Sequence, residues 1–115
     1  MKKEDTAYLK HILDAITRIE EYIVGIEYED FIENHLVQDG VIRQIEIIGE
    51  ATKRISDEIK KKHLGIPWKD MAGMRDKLIH DYLGVDIDAV WDTVENDIPI
   101  LKSKLKDIIE KGEKI

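Results

Sequence analysis

A chain of 115 residues that is 43% hydrophobic and 37% charged is too apolar to be disordered and suits one globular domain, residues 1–115, with a buried core. The absence of cysteine excludes disulfides and thiolate metal centres, and no apolar run approaches the roughly 18 residues of a membrane span. Acidic residues outnumber basic ones 25 to 18, a formal net charge of −7 that argues against indiscriminate nucleic-acid binding but leaves room for a small basic site on an acidic body.

The first helix is expected to start at Asp5 or Thr6, either of which can cap free N–H groups. Leu9, Ile12, Leu13, Ile16, Ile19 and Ile23 follow at spacings of three and four, a single apolar stripe, and Gly25 marks the end. Tyr28 to Asn34 form a connector. A second long helix is predicted from Leu36 to Lys62, with Val41, Ile45, Ile48, Ala51 or Thr52, Ile55 and Ile59 on its inner face. Gly49 inside it costs about 1 kcal/mol against alanine, so close packing against a neighbour is the expected reason for it. The Lys60–Lys62 run with His63 reads as a solvated helix C-terminus, where cations suit the dipole, with an RNA-backbone contact as the alternative.

The third helix opens at Pro67 or Trp68, since proline is tolerated in a first turn, and is expected to run to Asp81 and stop near Gly84. Asp86 can cap a fourth helix from Ile87. Pro99 should interrupt or kink it, with Asn96 or Asp97 recapping a last segment to about Lys111. Trp68 and Trp91 are expected as core or interface anchors, and Tyr8, Tyr22 and Tyr28 as packing residues, as are Arg43 and Glu50 if they pair within the long helix. Four or five helices with short connections predict an all-α antiparallel bundle. Met1 to Asp5 are charged with no apolar segment behind them, so no signal peptide is expected and the location is cytoplasmic.

Metal chemistry has little to stand on. The histidines are His11, His35, His63 and His80; no two lie three to five residues apart, and there is no HExxH pattern. No glycine-rich phosphate loop is present, and Ser56 and Ser103 sit in no nucleophile elbow.

The segment Met71 to Gly84 is different. It gathers Arg75, Lys77, His80 and Tyr82 around a helix end. Read plainly, Met71, Met74 and Leu78 are core and Arg75, Asp76 and Lys77 a solvated face. Positions five apart lie about 140° around a straight helix, so Arg75 and His80 do not share a face. Either the helix ends near His80, or a two-fold dimer brings two copies into one composite site. Such a site suits RNA cleavage without metal. One histidine accepts the proton of the attacking 2′-hydroxyl, the other protonates the departing 5′-oxygen, and arginine meets the phosphoryl charge with two hydrogen bonds.

Arg75, His80 and Tyr82 fit the R-x4-H-x-Y motif of the HepT toxins of the HEPN superfamily. Three further blocks resemble that family, Asp39 to Arg54 (DGVIRQIEIIGEATKR), Pro67 to Arg75 (PWKDMAGMR) and Gly84 to Pro99 (GVDIDAVWDTVENDIP). The resemblance covers nearly the whole chain. It implies an all-helical homodimer whose motif lines a cleft at the dimer interface, with Arg75 and His80 catalytic in RNA cleavage and no metal or other cofactor. It also implies a partner, an MntA-like nucleotidyltransferase antitoxin that transfers AMP from ATP to the motif tyrosine, here Tyr82. Two other readings stand beside the ribonuclease toxin. One is a non-catalytic substrate-binding subunit for a minimal nucleotidyltransferase, which the charge of −7 favours. The other is a purely structural helical dimer, which has no use for His80.

Overall fold

A computed structural model describes residues 1–81 and 84–113, with side chains described except at 77, 79–81, 112 and 113. Helix α1 spans Lys3–Tyr22 and buries Leu9, Ile12, Ile16 and Ile19 completely, as the apolar stripe predicts; Leu13 and Ile23 pack at the margin of the core. The cap differs from expectation. Lys2 precedes the helix without a side-chain capping bond, and Asp5 lies inside the first turn, 2% exposed. Its carboxylate accepts the backbone N–H of Ser56 at 2.8 Å and the Ser56 hydroxyl at 2.6 Å, so it serves a helix 51 residues away rather than its own.

After Gly25, whose φ of +72° only glycine adopts freely, comes the short helix α2, Tyr28–Phe31. Glu27 and Asp30 close a capping box around it, and Phe31 is fully buried. Helix α3, His35–Arg54, begins with the Asn34 side chain accepting from the Val37 N–H at 3.1 Å. It does not run on to Lys62 as predicted. The chain turns extended at Ile55, and Ser56 caps a separate helix α4, Asp57–Lys62. The apolar period continues through the break, since Ile55 and Ile59 are both buried, so hydrophobic spacing alone does not reveal it. The distant Asp5 carboxylate does, by holding the cap residue. The lysines of α4 are in its last turn, as expected for a solvated C-terminus.

Pro67 precedes α5, Trp68–Ala72, and Gly73 separates it from α6, Met74–Leu78. The predicted single helix to Asp81 is therefore two short ones, ending three residues early. Ile79–Asp81 instead form strand β1, paired antiparallel with β2, Gly84–Val85, with Ile79 opposite Val85 and the Asp86 N–H donating to the Leu78 carbonyl at 2.9 Å. β-Branched Ile79 and Val85 favour that pairing over another helical turn. No continuous helix joins Arg75 to His80: of the two alternatives, a helix that ends near His80 is the one observed, so the 140° offset does not apply.

Asp86 caps α7, Ile87–Asp92, by accepting from the Ala89 N–H at 3.0 Å. A π-helical turn, Thr93–Asp97, then leads into α8, Ile98–Glu113. Pro99 does not stop the chain. It falls in the first turn of α8, directly after a turn whose wider bonding (Ile98 N–H to the Thr93 carbonyl) accommodates a position lacking an i→i−4 donor. With no new helix to cap, Asn96 donates to the Asp92 carboxylate at 2.7 Å.

Helix α1 packs against both α3 and α8; α5 and α6 lie on α3, and α7 on α6. One apolar cluster runs through these contacts from Leu9 to Ile109, with Trp68 and Met71 inside it. Trp68 is anchored, its indole N–H donating to the His63 carbonyl at 2.9 Å, and Trp91 stacks on Phe31 with centroids 4.9 Å apart. The fold is all-α apart from the β1–β2 pair. Among the described residues no helix is long and apolar enough to cross a membrane.

Candidate functional site

The outer face of α3 repeats polar residues at helical spacing: Arg43, Glu46, Glu50, Lys53 and Arg54, around Ile47. Opposite it stand Tyr8 and His11 of α1, with their rings edge to face at 6.2 Å, and Ala72, Arg75 and Asp76 from α5 and α6. Between them lies a cleft of about 340 Å³. Gly49 sets its width. A Cβ there would stand 3.3 Å from the Ala72 carbonyl oxygen, tighter than ordinary contact, so the close approach of α5 to α3 requires glycine, as expected from the sequence.

Arg75 reaches into this cleft from α6. Its Nε donates to Glu46 Oε2 at 3.4 Å, and one terminal nitrogen lies 3.6 Å from Asp76 Oδ1. The side chain is 50% exposed, so the remaining guanidinium donors face water. Met74 and Leu78, on the other side of the same helix, line a second cavity of about 360 Å³ with Met71, Leu101 and the acidic Asp70, Asp92 and Asp97. A single helix thus divides a cationic cleft from an acidic, apolar-floored one.

The cationic cleft holds Arg43, Lys53, Arg54 and Arg75 against Glu46, Glu50 and Asp76, on a chain whose net charge is −7. Arg43 and Glu50, packing residues only if they pair, do not pair among the described residues. Glu50 engages Lys53 at 3.6 Å, because three residues on a helix are adjacent, whereas Arg43 is two turns away and makes no ion pair among the described residues. Tyr8 packs against the core as predicted, and Tyr28 lies against Trp91 with its hydroxyl donating to Asp88 at 2.6 Å. That bond, together with the nearby negative charge, holds the Tyr28 phenol above its ordinary range.

Of the predicted site residues, Arg75 is described completely. His80 is the middle residue of β1, five positions on from Arg75 across the helix-to-strand change, and its side chain lies outside the described residues, as does the whole of Tyr82. Sequence reading missed Glu46, Arg43, Lys53 and Arg54 as companions of Arg75. The available signal was the charged face of α3, but its partner across the cleft comes from 29 residues away and only the fold supplies it.

The ribonuclease HepT-like family profile matches residues 12–108. The chain is 50% identical to a protein of Thermococcus cleftensis whose name reads "Probable ribonuclease HepT", over 92% of this chain and 96% of that one. It is 42% identical to a protein of Caldanaerobacter subterraneus subsp. tengcongensis whose name includes the term RNase, over 95% and 97% of the two chains. A Methanocaldococcus jannaschii protein named in the same way is 43% identical over 97% of each chain. No solved structure gives a significant match. With the family profile spanning most of its length and relatives matched nearly end to end, the chain belongs to the HepT-like ribonuclease family.

Proposed function

We propose that the protein is the toxin of a toxin–antitoxin pair, a cytoplasmic, metal-independent endoribonuclease whose site carries Arg75, His80 and Tyr82 and forms between two copies of this single-domain chain. The observation that carries this reading is the complete R-x4-H-x-Y motif in a chain of this family, with Arg75 half exposed on a cationic cleft. The 2′-oxygen attacks the adjacent phosphorus, the bond to the 5′-oxygen breaks, and a 2′,3′-cyclic phosphate and a 5′-hydroxyl result. The reaction needs a base and an acid, and a two-fold dimer supplies one His80 for each. Arg75 offers its exposed guanidinium donors to the phosphoryl oxygens, whose charge grows in the transition state. The dimer rests on the family resemblance and on this need for two imidazoles, not on helix geometry. A nucleotidyltransferase antitoxin of the MntA type silences the enzyme by joining AMP to Tyr82.

The test is cleavage of single-stranded RNA by purified protein in EDTA. Expected products end in a 2′,3′-cyclic phosphate or its 3′-phosphate, and Arg75→Ala and His80→Ala each lose most activity while keeping their helicity. Cleavage that requires added magnesium, or persists in both variants, would move the chemistry elsewhere. RNA binding without cleavage by the unaltered protein would favour the substrate-binding subunit.

A further inference from the structure

We propose that Arg43 and Arg54 hold backbone phosphates of the RNA on either side of the one presented to Arg75, making the α3 face of the cleft a track for a single strand. This rests on the ribonuclease reading and extends it to residues outside the motif. The two arginines are eleven residues apart on α3, three helical turns and only about 20° out of alignment, so they stand on one stripe roughly 16 Å apart along the axis. A stacked strand carries one phosphate per roughly 3.4 Å of its length, so that distance spans about five phosphates. Glu46, the residue touching Arg75, lies between them on the same helix and the same cleft, so the motif arginine meets the track along its length and not beyond its end.

Charge supports the assignment. Both arginines are exposed, and neither makes an ion pair among the described residues, whereas Lys53 beside them is paired with Glu50 and Arg75 with Glu46. Two exposed guanidinium groups without an ion pair, on one stripe of a helix, are free to meet a polyanion that spans them. Guanidinium also pairs with phosphate through two parallel hydrogen bonds, which suits a backbone contact that is indifferent to base. Tyr8, at the α1 wall of the cleft, offers an aromatic face near the same path.

The experiment measures binding of a fluorescent single-stranded RNA to the full-length His80→Ala protein by anisotropy at several salt concentrations, and cleavage by the otherwise unaltered protein. Arg43→Gln and Arg54→Gln should each weaken binding several-fold and reduce the slope of log K against log salt by about 0.7, the value of one single-strand phosphate contact. In cleavage, each should raise KM with kcat largely retained. Arg18→Gln, outside the cleft and paired with Asp14 on α1, should change neither. Unchanged slopes in both variants, with cleavage by the parent protein intact, overturn the track and leave the ribonuclease reading standing. Slopes that fall as expected, with no cleavage by the parent protein, establish the track and overturn the ribonuclease reading.

Discussion

Glu46 Oε2 accepts from Arg75 Nε at 3.4 Å, a contact between α3 and α6 that leaves the guanidinium half exposed. The pair is half exposed, so it adds little to stability, on the order of 0–1 kcal/mol. Its effect is on orientation. Without Glu46 the guanidinium keeps, among the described residues, Asp76, its neighbour in sequence, and is expected to swing toward it. Glu46→Ala is expected to lower kcat for RNA cleavage about 10-fold, roughly 1.4 kcal/mol in barrier, with little change in KM or melting temperature. Glu46→Gln retains an acceptor oxygen and should restore most of the rate. Full activity in the alanine variant would show that Arg75 needs no such guide.

Asp5 and Ser56 bear on folding rather than chemistry. The carboxylate is buried and accepts two hydrogen bonds at 2.8 and 2.6 Å, while Ser56 Oγ in turn accepts from the Ile59 N–H at the start of α4. Asp5→Ala leaves the partly buried Ser56 N–H without its partner, and charge-assisted bonds are lost, so a destabilisation of about 2–3 kcal/mol is expected in urea unfolding. Ser56→Ala removes the hydroxyl bond to Asp5 and the cap to Ile59 but keeps the backbone bond, and the double variant should cost less than the sum, since either change alone removes the shared Asp5–Ser56 hydroxyl bond. Additive losses would mean that the two residues act separately.

That pair also explains what the sequence can and cannot display. The stripes Leu9–Ile12–Ile16–Ile19 and Val41–Ile45–Ile48 announce buried helix faces because burial repeats with the helical period. Asp86 before Ile87 announces a cap because the bond it makes is local. Asp5 looked like such a cap and is not one, because its partner is 51 residues away and tertiary contact outweighs local propensity. The α6–β1 change was hidden for the same reason: it depends on Val85 pairing with Ile79 across a reversal. In the site, Arg75 was legible from a motif, whereas the cations of α3 became its neighbours only through the α3–α6 packing.

Gly49 permits the approach that forms the cleft. Replacing it with alanine improves helix propensity by about 1 kcal/mol but places a Cβ at 3.3 Å from a backbone oxygen that cannot rotate away. Displacing α5 from α3 should cost more than the propensity returns, typically 1–3 kcal/mol for an overpacked contact. Gly49→Ala is therefore expected to lower the melting temperature and, by moving α6 with α5, to reduce RNA cleavage as well. A higher melting temperature with unchanged cleavage would show that α5 yields without effect on the site.

The last expectation concerns Tyr82, which lies in sequence between β1 and β2, two residues after His80. In the proposed silencing reaction, an antitoxin joins the Tyr82 phenolic oxygen to the α-phosphorus of ATP and releases pyrophosphate. The neutral phenol becomes a phosphodiester with a permanent negative charge and a nucleotide attached. On that proposal the added charge competes with RNA for Arg75. Two charges about 4 Å apart interact by about 1 to 4 kcal/mol near a protein surface, enough to displace a weakly held substrate. After co-expression with a cognate nucleotidyltransferase, mass spectrometry should place one or more AMP units on Tyr82, and the modified protein should neither bind nor cut RNA. Adducts on another residue, or full activity of protein modified at Tyr82, would rule the mechanism out. Tyr82→Phe should escape modification and resist neutralisation. If that variant is inactive from the outset, the hydroxyl takes part in cleavage itself. The modification map on the unaltered protein then decides whether the antitoxin acts through the same oxygen.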